Sequence, residues 1–462
     1  MADTALLLAI PLLPVIGAAV AVVVPADDRL TLRAVGMVTT IGAAVVAAVA
    51  AAGELPPLPV PPSLRAVLPL LTLTPLATPA LLTLTIVAPL ALRAGAPRVQ
   101  GRVAAYVVAV CLHTALSALS ILSARLETAV VCAMVAAVPA FALLALFGGA
   151  ERGSVTWRAA ALWLVVDVSA LAFLVSDPVM AGPWPPALAW VAICGPGLVR
   201  LAAGPHGLWA LPTFEMGPVS SAALSAGVGL PVGLVLLVRG ASAAPATWGQ
   251  SGLALWVLLL AGAIGVGAIV VVVERDLRRV AAHWTGILGS VAALGALAAV
   301  ADGRSPAWAI GLACQGGLAI AFLVMVVEAI ERRLESRSVV QLAGLADAAP
   351  ALAVALPLAV LLVAGAPGPG SALSLWHVIV ELLGSAAPGA AGAAAWSIIA
   401  VVVAAAGAAA TAARVVLPLR RRHESFIRVS FMQGIRLAFP LAVMVTATAV
   451  LPALLSAVEA GR

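Results

Sequence analysis

Apolar stretches long enough to cross a bilayer recur from one end of this chain to the other. That recurrence constrains the fold before any motif does. A crossing helix needs about 18 to 20 consecutive apolar residues. In hydrocarbon every backbone N–H and C=O must be satisfied within the segment, which favours helices. The chain's 462 residues are 63% hydrophobic and only 10% charged, whereas soluble domains carry about a quarter charged residues. The expected fold class is therefore an all-α polytopic membrane protein. Hydropathy places fourteen candidate spans, beginning near Leu6, Leu32, Pro75, Val103, Thr128, Ala159, Trp184, Pro218, Leu253, Val280, Trp308, Ala349, Ala393 and Leu437. Leu6–Val24 has no basic flank before it and no small-residue cleavage site. It reads as a first span and not as a removed signal.

Arginine placement tests that count, because basic residues concentrate in cytoplasmic loops. All 25 basic residues are Arg, and Lys is absent. With the N-terminus outside, nineteen arginines fall in inside loops. Five fall outside: Arg65, Arg125, Arg239, Arg304 and Arg462. A miscounted span would scramble the bias, so the pattern predicts about fourteen transmembrane helices with both termini outside. The remaining arginine, Arg200, lies within the seventh span. The same placement removes nucleic acid from consideration, since the net charge of +6 sits in loops between spans. The lipid bilayer is the partner that composition implies.

Two spans carry interruptions. The seventh contains Cys194-Gly195-Pro196-Gly197, and the twelfth runs into Gly365-Ala366-Pro367-Gly368-Pro369-Gly370. Proline removes a helix donor and glycine frees the backbone, so both read as broken helices. Grouping spans 4–8 and 9–13 puts a break in the fourth member of each group. That is the sequence sign of two inverted five-helix repeats, as in secondary transporters. The expected division is 1–102 (spans 1–3), 103–240 (first repeat), 252–413 (second repeat) and 414–462 (a basic amphipathic segment and the last span). Within the last division, residues 420–440 repeat Arg421, Arg428 and Arg436 among apolar residues. This suits either a helix on anionic lipid or a partner subunit, or simply a topology anchor.

No catalytic constellation is visible. Cys111, Cys132, Cys194 and Cys314 stand singly in apolar segments without metal or redox spacing. No metal site and no cofactor are expected, and redox chemistry would belong to partner subunits.

Four stretches, in order, carry a resemblance: FALLALFGGAERGS (141–154), PHGLWALPTFEMGPVSSAALSAGVGLPVGLVLLVRG (205–240), ERDLRRVAAHWTGILGS (274–290) and QLAGLADAAPALAVALPLAVLLVAGAPGPGSALSL (341–375). Together they resemble the antiporter-like membrane subunits of respiratory complex I and of multisubunit cation/proton antiporters. The resemblance covers roughly residues 100–385. It implies fourteen helices, inverted repeats and other membrane subunits of a multisubunit complex as partners. It also implies a bacterial-type inner membrane and a midplane file of ionisable residues that passes protons.

That file is largely missing here. By the resemblance, the fifth-span Glu falls on Met134 and the eighth-span Lys on Pro231. The tenth-span His falls on Leu288, and the eleventh-span positions fall on Gly316 and Ile320. The twelfth-span charge falls on Leu375 or Trp376. Only the seventh-span Lys retains a charge, as Arg200. Arginine does not release its proton to pass one on, and intramembrane ionisable groups are what proton relays are made of. The expected function is an antiporter-like subunit of a complex-I-like, hydrogenase-like or ion-uptake assembly whose proton route is degenerate. The alternative is an active translocating subunit or autonomous transporter that uses Asp167 and Arg200.

Five residues remain as ion-path candidates. Asp167 sits mid-span, where a carboxylate must be paired or protonated. Pairing with Arg200 would make either a residual ion site or a structural clamp between spans 6 and 7. His113 would join that group or bond locally. His377 and Glu381, one turn apart after the second interruption, would replace the lost twelfth-span charge or lie solvated at the outer interface. His283 and Trp284 read as interfacial. Glu328, Glu331 and Glu335 with Arg332, Arg333 and Arg337 read as a charged helix end at the membrane exit.

Overall fold

The computed structural model describes residues 2–52, 71–74, 76–95, 99, 101–149, 151–175, 186–244, 249–342, 345, 349–365, 371–385 and 389–416. Among these the chain is helical, with two isolated β-bridges as the only extended pairing. Numbered in chain order, the helices are α1 (Ala2–Val23), α2 (Arg29–Ala52), α3 (Ala77–Gly95), α4 (Val103–Leu122), α5 (Leu126–Phe147), α6 (Arg152–Val175), α7 (Pro186–Arg200), α8 (Ala210–Met216), α9 (Val219–Gly227), α10 (Gly229–Ala243), α11 (Gly249–Val273), α12 (Leu277–Ala301), α13 (Ala307–Leu334), α14 (Pro350–Val363), α15 (Ser371–Leu383) and α16 (Ala390–Val416). Among the described residues ten segments are long and apolar enough to cross a membrane, with α9 and α10 forming one of them. Shorter apolar helices lie in α7, α14, α15 and α16. The fourteenth expected span and the basic stretch at 420–440 lie outside the described residues.

The chain forms two compact units, one of Met1–Arg200 with Met216–Gly252 and the other of Leu201–Glu215 with Leu253–Arg462. In the first unit, small residues let helices approach closely. A Cβ on Gly227 would lie 2.6 Å from a Val87 methyl, and one on Gly36 2.9 Å from a Val107 methyl. Tyr106 of α4 donates its hydroxyl to the Ala91 and Leu92 carbonyls at the end of α3, at 2.8 and 3.1 Å. Arg239 of α10 closes the C-terminal end of α4, donating to the carbonyls of Ile121 (2.8 Å) and Ser123 (2.7 Å). The last carbonyls of a helix have no partners within it, so this clamp satisfies groups that would otherwise be orphaned.

Pro231 looks misplaced inside an eighth span until the helix is seen to be jointed. α9 ends at Gly227, and Val228 is the N-cap of α10. Pro231 therefore lies in the first turn of α10, where the missing N–H has no intrahelical partner to lose.

The seventh span differs from expectation. α7 runs unbroken through Gly195-Pro196-Gly197 to Arg200. The interruption comes after it, where Ala202 and Gly204 take positive φ (51° and 60°) before a 3-10 turn over Gly204–Trp209. The two glycines serve packing instead. A Cβ on Gly197 would sit 2.6 Å from the Gly233 carbonyl oxygen and the Leu237 nitrogen of α10, and one on Gly195 2.7 Å from Val166 of α6. In the twelfth span α14 stops at Val363, Gly365 has φ +69°, and helix resumes as α15.

In the second unit α12 and α13 run antiparallel, with Arg278 against Glu328 near one end and Leu288 against Gly316 further along. α13 is buried along its crossing segment. Trp284, expected at an interface, is only 1% exposed; His283 is half-buried.

Candidate functional site

Asp167 projects from the middle of α6 and Arg200 from the last residue of α7. Both are buried, at 0% and 2% exposure. Their side chains meet as a fork: Nη1 to Oδ1 and Nη2 to Oδ2, each at 2.7 Å. Arg200 Nη1 also donates to the Pro196 carbonyl at 2.9 Å. The guanidinium carbon lies 4.8 Å from the Trp163 ring centroid, so the cation also rests on an indole face. Trp163 precedes Asp167 by one helical turn, which puts both on one stripe of α6. Bidentate, charge-assisted pairing is the strong form of this contact. It leaves neither group idle.

His113 of α4 does not join the pair. Its Nδ1–H donates to the Ala136 carbonyl of α5 at 2.8 Å, since a carbonyl can only accept. Its Nε2 is buried and has no partner among the described residues. His377 stacks on Trp308, with centroids 3.9 Å apart and planes 11° from parallel. Glu381 is half-buried, and its backbone carbonyl accepts from Arg304 Nη2 at 3.1 Å. His377 and Glu381 belong to the second unit, Asp167, Arg200 and His113 to the first.

The positions onto which the resemblance places the ionisable file are buried or half-buried. Pro231, Leu288, Gly316, Ile320 and Leu375 are buried, and Met134 is half-buried. Trp376 is 61% exposed, so Leu375 is the inward-facing member of that alternative. Leu288 occupies the space beside Gly316, where an added Cβ would lie 2.8 Å from its Cδ1. Beyond Gln315, the residues of α13 from Gly316 to Val327 are all apolar or Gly. The next polar side chain on that helix is Glu328, roughly 20 Å along the axis at 1.5 Å per residue.

Glu328 is where the sequence reading fails. The charged run was expected to be a helix end at the membrane exit, and within it Glu328 is only 2% exposed. It bonds Arg278 at 2.7 Å and Arg332 at 2.8 Å, and Arg278 also meets Glu331 at 2.8 Å. A second group adjoins it. Glu215 receives Arg279 at 2.7 Å and Arg337 at 3.6 Å, and Arg337 also pairs with Asp276 at 2.5 Å. Asp276 caps α12 by accepting from the Arg278 and Arg279 backbone N–H groups. Four arginines meet four carboxylates here, so the lattice is neutral in sum. The i, i+4 spacing of Glu328 and Arg332 is the one local signal of this pairing in the sequence.

These features define a polytopic helical membrane protein with interrupted spans and buried ion pairs, a transporter-type architecture. Residues 140–400, more than half of the chain, match the family described as NADH:quinone oxidoreductase/Mrp antiporter, TM. The chain belongs to that family. No curated protein matches it by sequence. Among solved structures it is similar to a chain of respiratory complex I from Thermus thermophilus with bound NADH, at 18% identity, 98% coverage of both chains and TM-score 0.76. It is also similar to a chain of the Mrp complex from Dietzia sp. DQ12-45-1b, at 16% identity, 99% of this chain, 96% of that one and TM-score 0.76. A third is in the membrane-bound sulfane sulfur reductase, an archaeal respiratory membrane complex, at 14% identity, 99% and 96% coverage and TM-score 0.75.

Proposed function

We propose that this chain is an antiporter-like subunit of a complex-I-like or Mrp-type membrane assembly, kept for its scaffold, with the family's proton route closed. The carrying observation is the packing of Leu288 into the space beside Gly316, at two positions that by resemblance should hold titratable groups. A hydrated relay would leave room there for water; a leucine methyl against a glycine leaves none. The apolar stretch of α13 beyond it adds a barrier that a proton would cross only at a cost of many kcal/mol. The paired Asp167 and Arg200 then act as a clamp between α6 and α7. The partners are other membrane subunits, and the setting is a bacterial-type cytoplasmic membrane with both termini outside. Residues 103–240 and 252–413 are the two inverted repeats.

The test is the proton yield of the purified assembly, per turnover or per exchanged cation, with Asp167→Asn. An unchanged yield at matched subunit content supports the closed route. A lost yield with the assembly intact would overturn it. That result would favour the second reading, a translocating subunit that uses Asp167 and Arg200, which the burial of the pair at mid-span keeps in play.

A further inference from the structure

Two fully buried side chains on facing helices of the second unit have polar atoms that no described residue satisfies. Gln315 of α13 is 0% exposed, and both its Oε1 and its Nε2 lack a partner. Ser374 of α15 is equally buried, and its Oγ lacks one. Two contacts fix how these helices run. Trp308 stacks on His377, and Arg304, just before α13, donates to the Glu381 carbonyl. Higher numbers on α15 thus face lower numbers at the start of α13, so the helices are antiparallel. Ser374 lies one turn from His377 toward the Glu328 end of α13. Gln315 lies seven residues from Trp308, two turns along the same stripe. The two groups share the α13–α15 interface about one turn apart.

A primary amide has two donor hydrogens and an acceptor oxygen. Leaving such groups unpaired in an apolar interior is costly, and native proteins satisfy buried polar groups with ordered water where protein does not reach. We infer that Gln315 and Ser374 hold internal water between α13 and α15, in a neutral hydrated pocket. The amide supplies donors and an acceptor and the hydroxyl supplies one of each, which meets the two to four partners a buried water takes. Along α13 the next twelve residues, Gly316–Val327, are apolar or Gly and offer such water no further side-chain partner. Neither amide nor hydroxyl titrates at ordinary pH, so the pocket binds water without storing a proton. This inference goes beyond the proposed function and stands whether or not the chain conducts.

The deciding experiment is a cryo-EM map of the intact assembly in lipid, at a resolution that shows ordered water. Density is expected within about 2.6–3.2 Å of both the Gln315 amide and Ser374 Oγ. A dry interface there, or a Gln315 amide bonded at both ends to protein, would overturn the inference. Thermal unfolding of Gln315→Leu, Ser374→Ala and the double variant supplies a second readout. If one water bridges the two groups, the double shift in Tm will be smaller than the sum of the singles. Strict additivity would refute the bridge, and if the variants fail to assemble the wild-type map decides.

Discussion

Asp167 sits in the apolar interior with Arg200 on both its oxygens, and that geometry makes the pair fragile to one-sided change. Breaking a buried pair by removing one partner costs about 3–5 kcal/mol, because the survivor is left charged and unpaired. Asp167→Asn is therefore expected to lower the unfolding temperature of the purified chain markedly. Asp167→Leu with Arg200→Leu should recover most of that loss, since both desolvation penalties disappear together. A double variant as unstable as the single one would show that the pair does more than neutralise itself. Arg200→Lys should fall between, as an ammonium keeps the charge but loses the fork and the contact with Trp163. Asp167 and Arg200 were legible in the sequence because each is a lone charge deep in a span, where the cost of burial demands an explanation. Glu328 was not. It lies within four residues of a charged run, and composition alone cannot separate a buried carboxylate from its solvated neighbours. Only the arrival of Arg278 from another helix does so.

At the scale of helices, the interruption of the seventh span teaches the same lesson about glycine and proline. Cys194-Gly195-Pro196-Gly197 has the composition of a break, yet α7 passes through it, because the missing side chains are what let α6 and α10 close upon it. Sequence gives the residue's permissiveness but not whether a turn or a neighbour uses it. Gly197→Ala should accordingly cost about 1–3 kcal/mol, as its Cβ would strike backbone atoms that cannot rotate away. Gly262→Ala, with nothing within 4 Å of the added carbon, should be neutral or slightly stabilising through helix propensity. Equal effects of the two in a thermal-unfolding series would contradict this packing. The lattice around Arg278 divides in the same way. Arg278→Ala would leave the buried Glu328 with Arg332 as its remaining cation and should be the more destabilising of the two arginine substitutions. Arg279→Ala removes a pair whose cation is 41% exposed, which is worth about 0–1 kcal/mol and is screened by salt.

For the molecule as a whole, the class and the family were readable from hydropathy, loop arginines and four ordered motifs, because a bilayer imposes length and composition on every crossing. Side-chain pairing between distant spans leaves no such periodic trace, which is why the Glu215–Arg279–Arg337–Asp276 group went unseen. That group now bears on topology. Its members come from the end of α8, the start of α12 and the segment after α13, and mutual bonds require those three places to lie on one face of the membrane. Even numbers of crossings must separate them, as the arginine count independently demands. The arginine count leads us to expect that face in the cytoplasm and the turn between α12 and α13 on the other side. Single cysteines placed at Glu274 and Glu335 should therefore react with an impermeant maleimide only in inverted vesicles. One at Gly303, where nothing lies within 4 Å of an added Cβ, should react in intact cells. The native background should be low, because three of the four cysteines are buried and Cys132 is half-buried. Labelling at Glu274 and Glu335 from opposite sides would break the ion lattice and the fourteen-span count together. Labelling of all three sites with the faces exchanged would keep the lattice and reverse only the orientation inferred from arginine.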